Sequence, residues 1–486
     1  MALALSAGPA TAAVSVVWER DLTADMLSSS FPYNNAFEPI VATHPTDSQK
    51  LAVVYEYRPS RSRCNGIVPG LRTSTDGGAT WHKAAGKPWA GSGRIPNYHG
   101  TIAWGPGPAA GSARLYWADS TVSDCTYSDH RLSIAYSDDR GATWSALFVA
   151  PGAAEHGYPD LAVDRNRASP NYGAVYATMN PLKDTSETAM PVWASSDYGR
   201  HWQSTNVPAL AQPSAAYPFQ FRQGYRLRSA PDGSVYASFC QVDRASQNSG
   251  SFGRVAFGIA RLRLNRALGT FSAAAPVLAT TVPIDPYALE FAPAPGTNDR
   301  ERLYVCWTHG IDVEPASGRV HIAVATYVSN PPSGTPRGRV RVGRSNDLGQ
   351  TWSWQTLPVL APDGNGRHQS AHKPTLVAKG QTVFVGFHVL SDVPLNGGLD
   401  SSVMVGNAFV VSNDGGSSWG SPRLVSASRW NPDWLDLSIN GAGLRDRAEL
   451  TAGGRVLWAY GDGRRARAKP DTRWGRSQVY AALIDL

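Results

Sequence analysis

The hydrophobic positions of this chain come in short runs. Stretches rich in Val, Ile, Leu, Tyr and Trp are broken by Gly, Pro, Asp and Ser, the pattern of β-strands and turns rather than the 3.6-residue spacing of helices. The runs occur in pairs. First strands are predicted at Glu38-Pro-Ile-Val-Ala, Thr101-Ile-Ala-Trp, Asp160-Leu-Ala-Val, Leu227-Arg-Ser, Leu289-Glu-Phe, Thr375-Leu-Val-Ala and Glu449-Leu-Thr-Ala. Second strands follow at Leu51–Tyr57, Leu115–Asp119, Val175–Asn180, Val235–Cys240, Leu303–Thr308, Val383–His388 and Val456–Tyr460. A unit of about 60 to 70 residues cannot bury both faces of a four-stranded sheet alone, so seven are expected to pack radially as one ring. The last unit supplies only three strands, ending with Gln478–Ile484, and Ser15–Glu19 is expected to complete it. Residues 15–486 then form one domain behind a tail, residues 1–14.

One octapeptide pattern recurs along these units. It reads Ser74-Thr-Asp76-Gly-Gly78-Ala-Thr-Trp81 and returns from Ser137 to Trp144, Ser195 to Trp202, Ser345 to Trp352 and Ser412 to Trp419. The pattern is a hairpin turn: the Asp carboxylate accepts backbone N–H groups, the Gly takes a positive φ and the Trp packs the next strand. The interval between Asp197 and Asp347 is more than twice the others, so one unit has lost its box. The chain resembles the Asp-box, or bacterial neuraminidase repeat, proteins of the sialidase superfamily. That resemblance implies an all-β propeller, seven-bladed on the strand count, with a six-bladed sialidase-like ring as the alternative.

Composition narrows the class. Gly 47 and Pro 35 favour turns over long helices, and 42% hydrophobic residues allow a large core. The net charge of +7 is spread over only 17% charged residues, which argues against nucleic acid and leaves room for an acidic ligand. No run approaches the roughly 20 apolar residues of a membrane span. Met1–Val14 has the apolar stretch and small residues, Ala10-Thr11-Ala12, of a signal-peptide remnant, so a secreted or periplasmic monomer is expected. Cys64 and Cys125 lie in equivalent loops and could pair, while Cys240 and Cys306 are expected as buried thiols. No cofactor or metal is expected: nucleotide and HExxH motifs are absent, and His368 and His372 sit on no helix.

In such a ring the functional groups gather at one end of the channel, away from the boxes. The seven strand entries align Phe37, His99, Tyr158, Tyr225, Tyr287, Lys373 and Arg447 there. Beside them fall Glu38, His156, Asp160, Arg222, Arg228, Glu290, His372, Asp446 and Glu449, and the second strands end at Asp119, Asn180, His309, His388 and Asp462. Arginines around a concave site bind carboxylates, because the guanidinium fork matches two oxygens. The basic stretch from Arg464 to Arg476 could steer an anionic polymer, and Arg339, Arg341 and Arg344 mark an outward strand face.

The resemblance implies a sialidase-like glycoside hydrolase acting on an acidic sugar. Arg222, Arg228 and Arg447 would then form the carboxylate clamp, Tyr225 or Tyr287 the nucleophile beside Glu290 or Glu449, and Asp119 or Asp160 the acid. Arg94-Ile95-Pro96 matches the family's Arg-Ile-Pro signature but follows the first box instead of preceding it. A second reading is a polysaccharide lyase cleaving uronate polymers by β-elimination. It would need a cation such as Lys373, Arg222 or Arg447, and a base and an acid from His99, His156, Tyr158 and Tyr225. A third is a propeller that binds glycan or protein without chemistry.

Overall fold

The structure, a computed structural model, describes residues 14–25, 35–58, 68–86, 88–89, 93–124, 129–150, 158–179, 189–211, 219–243, 253–284, 308–327, 334–392, 403–431, 446–464 and 477–486. They form a seven-bladed β-propeller. Among them no helix is long and apolar enough to cross a membrane. Blade 1 runs through strands Asn35–Thr43, Leu51–Arg58, Val68–Ser74 and His82–Lys83, and blade 2 through Ile95–Pro106, Ala113–Val122, Arg131–Ser137 and Ser145–Val149. Blade 3 comprises Asp160–Val163, Val175–Thr178, Ala189–Ser195 and Gln203–Pro208; blade 6 comprises Gln369–Lys379, Thr382–Ser391, Val405–Ser412 and Arg423–Leu424.

Blades 4 and 5 depart from the regular plan. Blade 4 contains Phe219–Ser229, Ser234–Asp243 and Gly253–Asn265, and the last of these pairs with both Thr270–Ala273 and Val277–Ile284. Blade 5 consists of Gly310–Val313, Val320–Tyr327, Gly338–Ser345 and Ser353–Thr356. This corrects the strands expected there. The inner strand is Gly310–Val313, not Leu289-Glu-Phe, and the second is Val320–Tyr327, not Leu303–Thr308; residues 289–291 and 303–307 lie outside the described residues. The inner run has four residues with only two apolar positions, Ile311 and Val313, and ends at a turn through Gly318 (φ 72°), while the more apolar run Leu303–Thr308 stands out ahead of it in the sequence.

Apolar side chains gather in seven clusters, one at each seam between blades. The ring is held by wedges between sheets, with no single central core. Each box Trp enters the seam with the preceding blade: Trp81 packs between blades 7 and 1, Trp144 between 1 and 2, Trp202 between 2 and 3, Trp352 between 4 and 5, and Trp419 between 5 and 6. The boxes work as expected. In the second, Ser137 Oγ accepts the Gly141 N–H at 2.6 Å and donates to Asp139 at 2.8 Å, while Asp139 accepts the Thr143 N–H at 2.8 Å. The box glycines take φ of 84° to 90°, where a Cβ would be strained.

Blade 4, which lacks a box, is tied differently. Buried Asn171 of blade 3 donates to the Gly233 and Leu264 carbonyls at 2.7 and 2.9 Å, and Phe271 takes the place of the Trp in the seam. Cys240 is disulfide-bonded, not the buried thiol expected; Cys64, Cys125 and Cys306 lie outside the described residues.

Blade 7 comprises Arg447–Leu450, Val456–Asp462 and Gln478–Asp485, and its fourth strand is Ser15–Asp21, antiparallel to Gln478–Asp485. The closure is sealed by Arg464. Its guanidinium bonds Glu19 at 2.7 and 2.8 Å and Asp462 at 2.6 Å, and lies 4.2 Å from the Tyr480 ring centre. Tyr460 also donates to Glu19. Arg464 is thus a brace and not a steering charge; residues 465–476 lie outside the described residues.

Two outcomes follow for stability. Arg464→Ala leaves Glu19 and Asp462 without their cation in a largely buried place, and should cost about 3 kcal/mol or more in urea unfolding. Buried His321, at the seam of blades 5 and 6, has no hydrogen-bond partner for either ring nitrogen, and burial with the charges of Arg319 and Arg344 pulls its pKa from 6.5 to about 3. The unfolded chain therefore binds a proton there that the fold refuses, so the stability His321 allows is complete above pH 6.5 and declines as pH falls toward 3. The His321→Phe variant should show a shallower acid decline than the parent, read from melting temperature against pH.

Candidate functional site

The inner strands face a central channel, and charge zips them together. Asp160, Asp312 and Glu449, on blades 3, 5 and 7, accept the backbone N–H of Leu227, Ala378 and Thr43 on the next blade, each at 2.8 Å. Thr375 does the same for Ala448 at 3.0 Å. Three guanidiniums balance these carboxylates. Arg447 lies 3.1 Å from Asp160, Arg228 lies 3.8 Å from Asp160 and 3.7 Å from Asp312, and Arg165 pairs with Glu449. Burial, reinforced by the Arg447 charge, lowers the Arg228 pKa to about 10, and burial raises that of Asp312.

Arg228, Arg447, Asp160 and Glu449, expected around a substrate at the mouth, are thus engaged with one another between blades. Asp312 was not anticipated because it lies on the inner strand of blade 5, expected elsewhere, and Arg165 because it follows the blade-3 inner strand Asp160–Val163 at the box end. A cavity of about 690 Å³ occupies this part of the channel and extends to the turns at Arg165, Pro231, Glu314, Lys379 and Thr451, on the same end as the Asp boxes. The functional groups were expected at the opposite end.

That opposite end has a different character. Four inner strands lose register at one level: between Phe37 and Ile40, Tyr98 and Thr101, Arg222 and Arg226, and His372 and Thr375. Bulges re-aim side chains beside binding sites. Among the described residues five non-glycine positions have positive φ, and three of them, Arg140, Tyr198 and Leu348, share one place in the boxes. The other two are Glu38 (52°) and Lys373 (50°), at equivalent bulges of blades 1 and 6, each before a proline and 3% and 2% exposed. Such strain costs about 1–3 kcal/mol per residue and persists only where the surroundings enforce it.

Next to Lys373, His372 stands opposite His388 in the strand register, their rings edge to face at 5.7 Å. His388 Nε2 pairs with Asp446, which enters blade 7, and all three groups are buried. Across the channel end, His309 Nε2 meets Ser238 Oγ at 2.8 Å, Tyr158 and Tyr225 are buried, and buried Asp119 faces Trp117 Nε1 at 3.4 Å. His309 takes the level expected of Tyr287.

Arg94 is a brace: it bonds Thr121 through Oγ1 at 3.0 Å and the carbonyl at 2.6 Å, and Asp129 at 2.6 and 2.8 Å. Arg222 and His99 belong to bulged strands, with side chains outside the described residues. Tyr287, Glu290, His156 and Asn180 lie outside them altogether.

The zipper makes a prediction that separates framework from chemistry. Asp160→Ala removes the acceptor of the Leu227 N–H and leaves Arg228 and Arg447 short of a carboxylate, and should lower unfolding free energy by about 3–5 kcal/mol. Unchanged denaturant stability would show that the channel charges do not hold the blades.

A family model for the BNR/Asp-box repeat matches residues 72–83 and 135–146. No curated protein matches the sequence. Similar solved structures include a protein of unknown function from Dyadobacter fermentans, 13% identical over 97% of this chain and 99% of that one, TM-score 0.45. Another is a polysaccharide lyase of family PL25, an ulvan lyase, 12% identical over 88% and 92%, TM-score 0.46. A third is the GH93 α-L-arabinofuranosidase of Fusarium graminearum, 12% identical over 78% and 94%, TM-score 0.42. At these identities the chemistry of the site rests on its own residues. The chain thus carries BNR/Asp-box repeats on a seven-bladed β-propeller.

Proposed function

We propose that the protein cleaves an acidic polysaccharide at the end of the channel away from the boxes, by β-elimination at a uronate. The observation that carries this reading is the buried group His372, Lys373, His388 and Asp446, with Lys373 held in a strained bulge. Elimination needs a cation against the uronate carboxyl, so that the neighbouring C–H can be deprotonated. Lys373 suits that role. A base takes the proton, its electron pair forms the carbon–carbon double bond, and the glycosidic oxygen leaves with a proton from an acid. The histidine pair can supply both, with Asp446 orienting His388. Hydrolysis of the sialidase type, the first expectation from sequence, is less well supported, because Arg228 and Arg447 already face carboxylates. The disulfide at Cys240 supports an oxidising, extracytoplasmic setting.

The test is incubation with uronate polysaccharides and with sialyl conjugates. Ultraviolet absorbance of the unsaturated product is expected from the first and no sialic acid from the second. His388→Gln, which keeps an N–H donor beside Asp446, should stay folded by its melting temperature and lose about 100-fold or more in rate. Reducing sugar released without new absorbance would replace elimination with hydrolysis, and silence on every substrate would leave a binding role.

A further inference from the structure

Blade 6 carries a second cavity, of about 440 Å³, at the same end as the histidines. Leu360 and Met404 give it apolar walls, and Asn365, Gln369 and Arg429 give it polar ones. Its guanidinium stands apart from those of the channel. Arg447, Arg228, Arg165 and Arg464 all have carboxylates within 4 Å. Arg429 is half-buried, has no hydrogen bond or ion pair among the described residues, and loses affinity for its proton through burial, with only the more distant Asp363 opposing this. Asp363 itself is engaged, accepting the N–H groups of Asn365 and Arg367 at 2.9 and 3.0 Å. A partly desolvated guanidinium without an anion is costly unless a ligand supplies one.

A second observation points to a ligand. Gln369 is 4% exposed and its amide nitrogen bonds the Ala361 carbonyl, yet its Oε1 has no donor. The cavity thus offers a fork for a carboxylate and, beside it, a buried acceptor for a hydroxyl. Gly406 makes room for the arginine stem: a Cβ there would lie 3.3 Å from Arg429 Cγ. Gln369 pairs with Ser391 on the same hairpin on which His372 pairs with His388, three residues along. At about 3.3 Å per residue that is about 10 Å, so the two places can be spanned by neighbouring units of one polymer.

We infer that the cavity at Arg429 and Gln369 is a subsite for an anion-bearing sugar unit, which holds a polymeric acidic glycan across blade 6. It deepens the proposed function and rests on it for the identity of the polymer, but its own test does not require cleavage. The full chain is titrated calorimetrically with a tetrasaccharide of glucuronic acid and with the same tetrasaccharide after carboxyl reduction. The charged ligand should bind at least about tenfold more tightly than the reduced one, and Arg429→Ala should remove that advantage with its melting temperature unchanged. Arg429→Lys, which keeps the charge and loses the fork, should retain part of it. Equal binding of the two ligands by the parent, or an Arg429→Ala affinity within about twofold of the parent, would overturn the subsite. If Arg429→Ala weakens binding while no polymer yields unsaturated product, the subsite stands and elimination falls. If product forms with an unchanged KM in Arg429→Ala, elimination stands and the subsite falls.

Discussion

Everything in this molecule depends on a ring that must be closed by pairing two distant ends of the chain. Antiparallel hydrogen bonds between Ser15–Asp21 and Gln478–Asp485 turn seven sheets into a circle, and Arg464 locks the joint between Glu19 and Asp462. A sheet with a free edge exposes unpaired N–H and C=O groups. Once closed, each blade has two neighbours, and the apolar faces meet in seven equivalent seams. Stability is therefore distributed around the circle, and each box tryptophan packs into the seam its blade shares with the preceding one.

A ring without a central core leaves a channel, and its lining must satisfy itself. Here the inner strands do so with Asp160, Asp312 and Glu449, each reaching from an odd-numbered blade to a backbone N–H of its neighbour, and with arginines that cancel their charge. Buried carboxylates and guanidiniums are tolerable only when matched in this way. The match also explains why these arginines are poor candidates for seizing a substrate anion: a ligand would have to displace a carboxylate already held by the backbone of the adjacent blade.

The two ends of the channel differ because strand direction makes them differ. The turns between first and second strands and the Asp boxes share one end, where serine, aspartate and glycine close tight hairpins. At the other end the inner strands bulge, and Glu38 and Lys373 adopt backbone conformations that nothing in a hairpin requires. Histidines, lysine and aspartate gather there on blades 6 and 7. Placing strain on the end with the reactive groups and regularity on the other lets the box end stabilise the scaffold while the bulged end is free to present chemistry.

Repeat number, blade order and ring closure were legible in the sequence because each is written locally: alternating runs, Asp-box octapeptides and a last unit one strand short. The same local reading failed at blade 5, where Gly310–Val313 has only two apolar positions beside the more apolar run before it, and at Cys240, whose disulfide is not written in its sequence neighbours. The types of residue near the mouth could be listed from spacing, and His372, Lys373, His388 and Asp446 were among them. Which of those charges meet one another was decided only in three dimensions. Arg228, Arg447 and Asp160 are 67 or more residues from the groups they pair with or brace across blades, while Arg429 carries no motif. Pairing is a property of neighbours brought together by the ring, and a chain read one residue at a time does not contain that distance.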